Sequence, residues 1–185
     1  MTLEEIKTQV LSLIEEYDSE TAQKLTKDSD IDIKLNHSID NIQVELAQIK
    51  SIPALKEVDT EKDGHEISID DVYKIDKIRE CDFEVLNNKI ILDNDYNGKV
   101  NIYYNKFPEK IDYNTENSHV MELTRDALEC LVYGVASAIL KADLASNYSV
   151  YEYKYQELKQ MLSNAKTTGE IRFVEELWSY GNITD

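Results

Sequence analysis

Apolar residues recur every three or four positions over residues 3–17 and again over 29–50, and the period changes twice further on. Leu3, Ile6, Val10, Leu13, Ile14 and Tyr17 predict an amphipathic helix over 3–17, with Thr2 as its cap and Glu4 and Glu5 in its first turn. Residues 18–30 lack that period and read as a polar loop. Ile31, Leu35, Ile39, Ile42, Leu46 and Ile49 form a second stripe over 29–50, capped by Ser29 or Asp30, and Pro53 stops the helix shortly after its end.

From Leu55 to about Tyr113 the texture becomes β-like. Glu66–Asp70 and Val72–Arg79 alternate. Phe83–Leu86, Asn87-Asn88 and Lys89–Leu92 predict a hairpin, because asparagine tolerates the positive φ of a tight turn. Asn94–Gly98 is a second turn. It leads into Lys99–Phe107, which ends at Pro108. Four or five short strands are expected here.

Helical spacing returns over 124–144. Leu128, Leu131, Val132, Val135, Ala136, Ile139 and Leu140 make a wide apolar stripe, capped by Thr124 and suited to a central core helix. A fourth helix opens at Asn147 or Ser149 and runs to about Asn164, with Tyr151, Tyr155, Leu158, Met161 and Leu162 inward. Thr168-Gly169 then reads as punctuation that a helix seldom crosses.

The expected fold is therefore α+β, mainly α. It has a four-helix bundle-like core, a small antiparallel β-rich insert between helices 2 and 3, and an extended C-terminal tail. Residues 1–52 carry helices 1 and 2, 53–118 the insert, 119–165 helices 3 and 4, and 166–185 the tail. That tail holds Ile171, Phe173, Val174, Leu177 and the single tryptophan, Trp178. So short a segment needs another surface to bury these side chains, on its own domain or on another chain. An extended tail can add a strand to a waiting sheet edge.

Composition narrows the possibilities. With 185 residues, 42% apolar and 31% charged, the chain should be globular and soluble, one domain or one domain with an embellishment. No run approaches the roughly 20 apolar residues of a membrane helix. Met1–Glu5 lacks the features of a signal peptide, so the chain is expected to stay in the cytosol where it is made. Cys81 and Cys130 lack CxxC spacing and read as buried thiols. A net charge of −17, from 37 acidic and 20 basic residues, argues against gripping a nucleic-acid backbone.

Candidate chemistry is sparse. His37, His65 and His119 stand in no metal-binding spacing, and no metal or cofactor is expected. Asp28, Asp30 and Asp32 lack the glycine and closing glutamate of a calcium loop. No phosphate-binding glycine loop or nucleophile elbow occurs, and no pair of carboxylates stands out. No catalytic residue is assigned. Twelve tyrosines instead suggest contacts, since tyrosine suits surfaces with one dry face. Tyr103, Tyr104, Tyr148 and Tyr153 are the candidate interface positions.

Three segments carry a family resemblance: Leu25-Thr26-Lys27-Asp28-Ser29-Asp30-Ile31, the strand Val100–Pro108, and the helix Ala127–Asp143 with its Tyr133-Gly134-Val135-Ala136 and Leu140-Lys141-Ala142-Asp143. With the Tyr-rich helix that follows, the chain resembles the head–tail adaptor (connector) proteins of tailed bacteriophages and related prophage elements. The resemblance covers nearly the whole chain in order of elements, and its motifs are packing signatures. It implies a structural protein of the virion neck, made in the bacterial cytoplasm, with no enzymatic activity. Copies would form a ring of roughly twelve subunits, built by head-to-tail contacts. The ring would sit beneath the portal protein, meet the next neck or tail protein, and let DNA pass without specific binding or contact with a membrane. Ile171, Phe173, Val174, Leu177 and Trp178 would dock on the portal or on a neighbouring copy. The alternative is a free-standing acidic interaction module, an inhibitor or DNA mimic that occupies a basic site.

Overall fold

The computed structural model describes residues 1–15, 29–87, 89–143, 145 and 147–179. For Glu15, Ser29, Asp30 and residues 165–179 it describes the backbone alone. The predicted polar loop and most of the Leu25–Ile31 motif lie outside the described residues. In chain order the elements are α1 (Leu3–Glu15), α2 (Ser29–Ile49), β1 (Ile52–Asp59), α3 (Thr60–Asp63), β2 (Glu66–Ser68), β3 (Val72–Ile78), β4 (Phe83–Leu86), β5 (Lys89–Leu92), β6 (Lys99–Lys106), α4 (Arg125–Ala142) and α5 (Tyr148–Ser179). The chain divides into two compact units, one of residues 1–50 and 110–185, the other of residues 51–109.

This is a mixed α/β architecture, and it corrects the expected helical bundle with a small insert. Among the described residues there are five helices and two three-stranded antiparallel sheets. The second unit has its own hydrophobic core, so it is more than a decoration on helices.

In the first unit, the start of α1 is fixed by reciprocal bonds. The Glu5 N–H donates to Thr2 Oγ1 at 3.3 Å, and the Thr2 N–H donates to the Glu5 carboxylate at 2.8 Å. This satisfies two of the donors that a helix N-terminus leaves free. The Leu3 and Glu4 amides donate to the carbonyls of His119 and Asn117, which ties the first residues to the segment before α4. Leu3, Ile6, Val10 and Ile14 are buried, as are Ile31, Leu35, Ile39 and Leu46 of α2. The helix α4 touches α1, α2 and α5. Thr124 takes the cap position, but its hydroxyl bonds to the Asp126 carboxylate and not to a backbone amide.

The helix α5 departs most from expectation. It continues through Thr168-Gly169 to Ser179, so residues 166–179 are helical where an extended tail was predicted. One interior glycine costs a helix only about 1 kcal/mol, which a long helix can absorb.

The second unit is built on β6. It pairs antiparallel with β1, from Ile52 opposite Lys106 to Asp59 opposite Lys99, and on its other side with β3. The second sheet runs β2-β5-β4. Val58, Ile67, Ile78, Ile90, Leu92, Val100, Ile102 and Tyr104, from both sheets, form one core. The predicted hairpin is present as β4 and β5, and Asn87 adopts φ 51° at its turn. Strand β1 was not predicted, because Pro53 masks its alternation. As an edge strand it tolerates a residue without an N–H. Gly98, at φ 144°, closes the turn before β6, and its N–H donates to the buried Thr60 hydroxyl at 2.9 Å.

Candidate functional site

The proposed docking residues Ile171, Phe173, Val174, Leu177 and Trp178 belong to the backbone of α5, and their side chains lie outside the described residues. A helical backbone removes strand addition as their way of binding, since its amides already bond within the helix. It also changes how their spacing reads. Ile171, Val174 and Trp178 stand at i, i+3 and i+7, and Phe173 and Leu177 at i and i+4. That is the spacing of an amphipathic helix, where an extended tail was expected.

The upstream half of α5 is anchored by a polar cluster beneath its aromatic face. Tyr151 and Tyr155 are buried. The Tyr151 hydroxyl donates to the Leu13 carbonyl at 2.7 Å, which pins α5 to α1. The Tyr155 hydroxyl donates to Glu45 of α2 at 2.7 Å, and Lys159 pairs with the other oxygen of that carboxylate. Burial disfavours the Glu45 charge, but the bonds from Lys159 and Tyr155 outweigh it and hold the carboxyl below its usual range. Burial, and then the acceptor Glu45, push the Tyr155 phenol upward. The Lys159 ammonium also lies 5.6 Å from the Tyr155 ring centroid. On its other side α5 exposes Val150, Tyr153 and Met161, with Tyr153 75% exposed.

The four candidate tyrosines therefore divide. Tyr153 is free for contact. Tyr148 is half-buried, with the Lys141 ammonium 5.7 Å from its ring centroid. Tyr103 is half-buried beneath the Arg79 guanidinium, 5.3 Å from its centroid. Tyr104 is a core residue at 8% exposure, and its hydroxyl donates to Asp71 at 3.3 Å. Its burial excludes it from a contact surface. In β6, Tyr103 and Tyr104 point to opposite faces, so one of two adjacent tyrosines was bound to turn inward.

One exposed surface carried no expectation. All four side chains of β4 are exposed, and β4 forms an edge of its sheet. Phe83 and Val85 stand opposite Leu92 and Ile90, which are buried, so the core face of this sheet runs outward into the open at β4. A groove of about 690 Å³ lies beside it, where the apolar Val72, Ile75, Phe83 and Val85 share the walls with polar residues that include Lys74 and Lys89. The missed signal was the makeup of Phe83-Glu84-Val85-Leu86, three apolar residues of four without a lysine or proline to guard the edge.

His37 and His65 have structural partners. His37 accepts from the Asn41 amide at 3.1 Å, and His65 donates to the Tyr96 carbonyl at 2.8 Å. Among the described residues no three His, Cys, Asp or Glu side chains converge on a metal-binding arrangement, and no helix is long and apolar enough to cross a membrane. Cys130 is buried and its thiol is pushed up to about 12 by burial. No protein-family model matches the chain, and no curated protein matches it in sequence.

Proposed function

We propose that this chain is a non-catalytic assembly protein of the head–tail adaptor kind. It joins a portal protein, neighbouring copies of itself and the next neck or tail protein, in a ring through which DNA passes. The observation that carries this reading is the length of α5: 32 residues, against 18 for the α4 helix that it packs on. The final turns of α5 thus have no stretch of α4 to lie along, and they hold the apolar Ile171, Phe173, Val174, Leu177 and Trp178.

Spacing supports the same reading. At 3.6 residues per turn, Ile171 and Trp178 recur at about five and seven whole turns from the exposed Tyr153, and Val174 lies roughly 60° from it, whereas Phe173 recurs at about five turns from the buried Tyr155, so the spacing bears on Ile171 and Trp178 most directly. An amphipathic helix of this kind docks by laying its apolar face in a groove of another chain. The net charge of −17 suits a ring that holds DNA without lasting contacts.

The test is co-expression with a tailed-phage portal protein, comparing the full chain with a chain ending at Ala165. The full chain is expected to form rings on the portal, seen by electron microscopy. The shortened chain is expected to stay folded by circular dichroism and to remain unassembled. Normal assembly of the shortened chain would overturn the docking role of α5.

The charge also favours a second reading, an acidic module that occupies a basic site on a nucleic-acid enzyme. That reading requires tight, strongly salt-dependent binding to such an enzyme and no ring on the portal.

A further inference from the structure

We propose that the free edge of β4 and the groove beside it bind an extended segment of a partner protein in which apolar and basic residues alternate. This surface lies within the second unit and does not rest on the role given to α5.

The sheets guard their other edges. Strand β1 carries Pro53 and Lys56, β2 is three residues long, and β3 has two register irregularities together with Lys74 and Lys77. These are the devices by which sheets avoid adding strands. Strand β4 has neither proline nor lysine, and it pairs with β5 in unbroken register. Its outer backbone amides and carbonyls are therefore open to a further strand.

The two faces of β4 state what that strand should carry. Successive residues point to opposite faces, so Phe83 and Val85 line the groove while Glu84, with Asp82 two positions before it, lies on the other face. Phe83 and Val85 are 40% and 59% exposed, an apolar surface that continues the core and lacks a cover. Alternate side chains of an added strand would enter the groove between them and Ile75. The intervening side chains would stand beside Asp82 and Glu84. Neither of these carboxylates makes an ion pair among the described residues. Lysine or arginine at those positions supplies the missing charge.

A second copy of this chain fits less well. Pairing β4 with itself so that both grooves stay covered sets carboxylates against carboxylates on the outer face. Each copy also carries a net charge of −17.

The experiment uses the full chain and two dye-labelled peptides of seven residues with identical composition. One alternates lysine and valine, and the other holds its lysines and valines in separate blocks. Non-specific attraction to an acidic protein is the same for both. The alternating peptide is expected to bind about tenfold more tightly by fluorescence anisotropy. Val85→Lys, at an exposed position that leaves folding intact, should reduce its binding to that of the blocked peptide. Glu84→Lys should weaken it by a similar factor. Equal binding of the two peptides, or binding indifferent to both substitutions, would overturn the proposal. So would self-association of the chain that Val85→Lys abolishes, since that would assign the edge to a second copy.

Discussion

Gly134 of α4 lies so close to the ring of Tyr155 on α5 that a β-carbon at this position would stand 2.9 Å from Cδ2 and Cε2 of that ring. Real β-carbons essentially never come so near, so the absence of a side chain at Gly134 sets the distance between the two helices. Ile42 of α2 closes the same space, 3.2 Å from that position. Tyr155 cannot easily yield, because its hydroxyl is held by Glu45.

Gly134→Ala is therefore expected to destabilise the chain, although alanine is the better helix former. Overpacking costs about 1–3 kcal/mol, while the gain in helix propensity is about 1 kcal/mol. Urea denaturation should show a net loss. A net gain would mean that α4 and α5 separate freely.

The Glu45 cluster should make stability depend on acid. Its carboxyl titrates lower in the folded chain than its ordinary 4.5, so its contribution is complete above that value and is lost as the pH falls through the lowered folded value. Denaturation curves taken from about pH 7 down to about pH 3 should show a shallower acid loss for Glu45→Gln than for the natural chain. Tyr155→Phe, which removes one donor to this carboxylate, should cost about 1–2 kcal/mol at neutral pH.

Two tyrosines two residues apart on α5 should behave in opposite ways. Tyr151→Ala removes a buried ring and its bond to the Leu13 carbonyl, and should cost about 3–5 kcal/mol. Tyr153→Ala, at a position 75% exposed, should change stability by no more than about 0.5 kcal/mol. Melting temperatures of the two variants check the contrast.

The cysteines should react in a fixed order. Cys81 is half-buried, and burial, joined by the negative charges of Asp93, Glu80 and Asp82, raises its thiol pKa against the lowering effect of a bond to the Asp93 backbone. Cys130 is fully buried, with its thiol pushed up to about 12. Iodoacetamide on the folded chain should modify Cys81 slowly and Cys130 only after unfolding, as read by peptide mass spectrometry.

Trp178→Ala should separate docking from folding. Burying such a side chain is worth about 2–3 kcal/mol by area. If its cover is another chain, assembly with the portal weakens by that amount while the melting temperature of the isolated chain holds. An equal fall in the melting temperature would place the cover on the chain itself.

Local periodicity by itself determined much of this protein. The stripes Leu3–Ile14 and Ile31–Leu46 fall on the buried sides of α1 and α2, and Asn87 supplies the positive φ of the β4–β5 turn. These features depend on residues within a few positions of one another, so a short window of sequence carries them. Tertiary pairing decided the rest. Val58 meets Val100 across β1 and β6, forty-two positions apart, and nothing near Pro53 announces that partner. The same pairing sends Tyr104 into the core and leaves Tyr103 under Arg79. Phe83 and Val85 have the composition of an ordinary buried strand, and only the order β2-β5-β4 leaves them uncovered at an edge. Thr168-Gly169 is a stop in a short helix, but α5 runs on through it because one weak residue costs less than the helix gains from its neighbours. Spacing along a chain can say that a side chain is apolar and on which side it lies, but the element that comes to cover that side is chosen by contacts between distant parts of the chain.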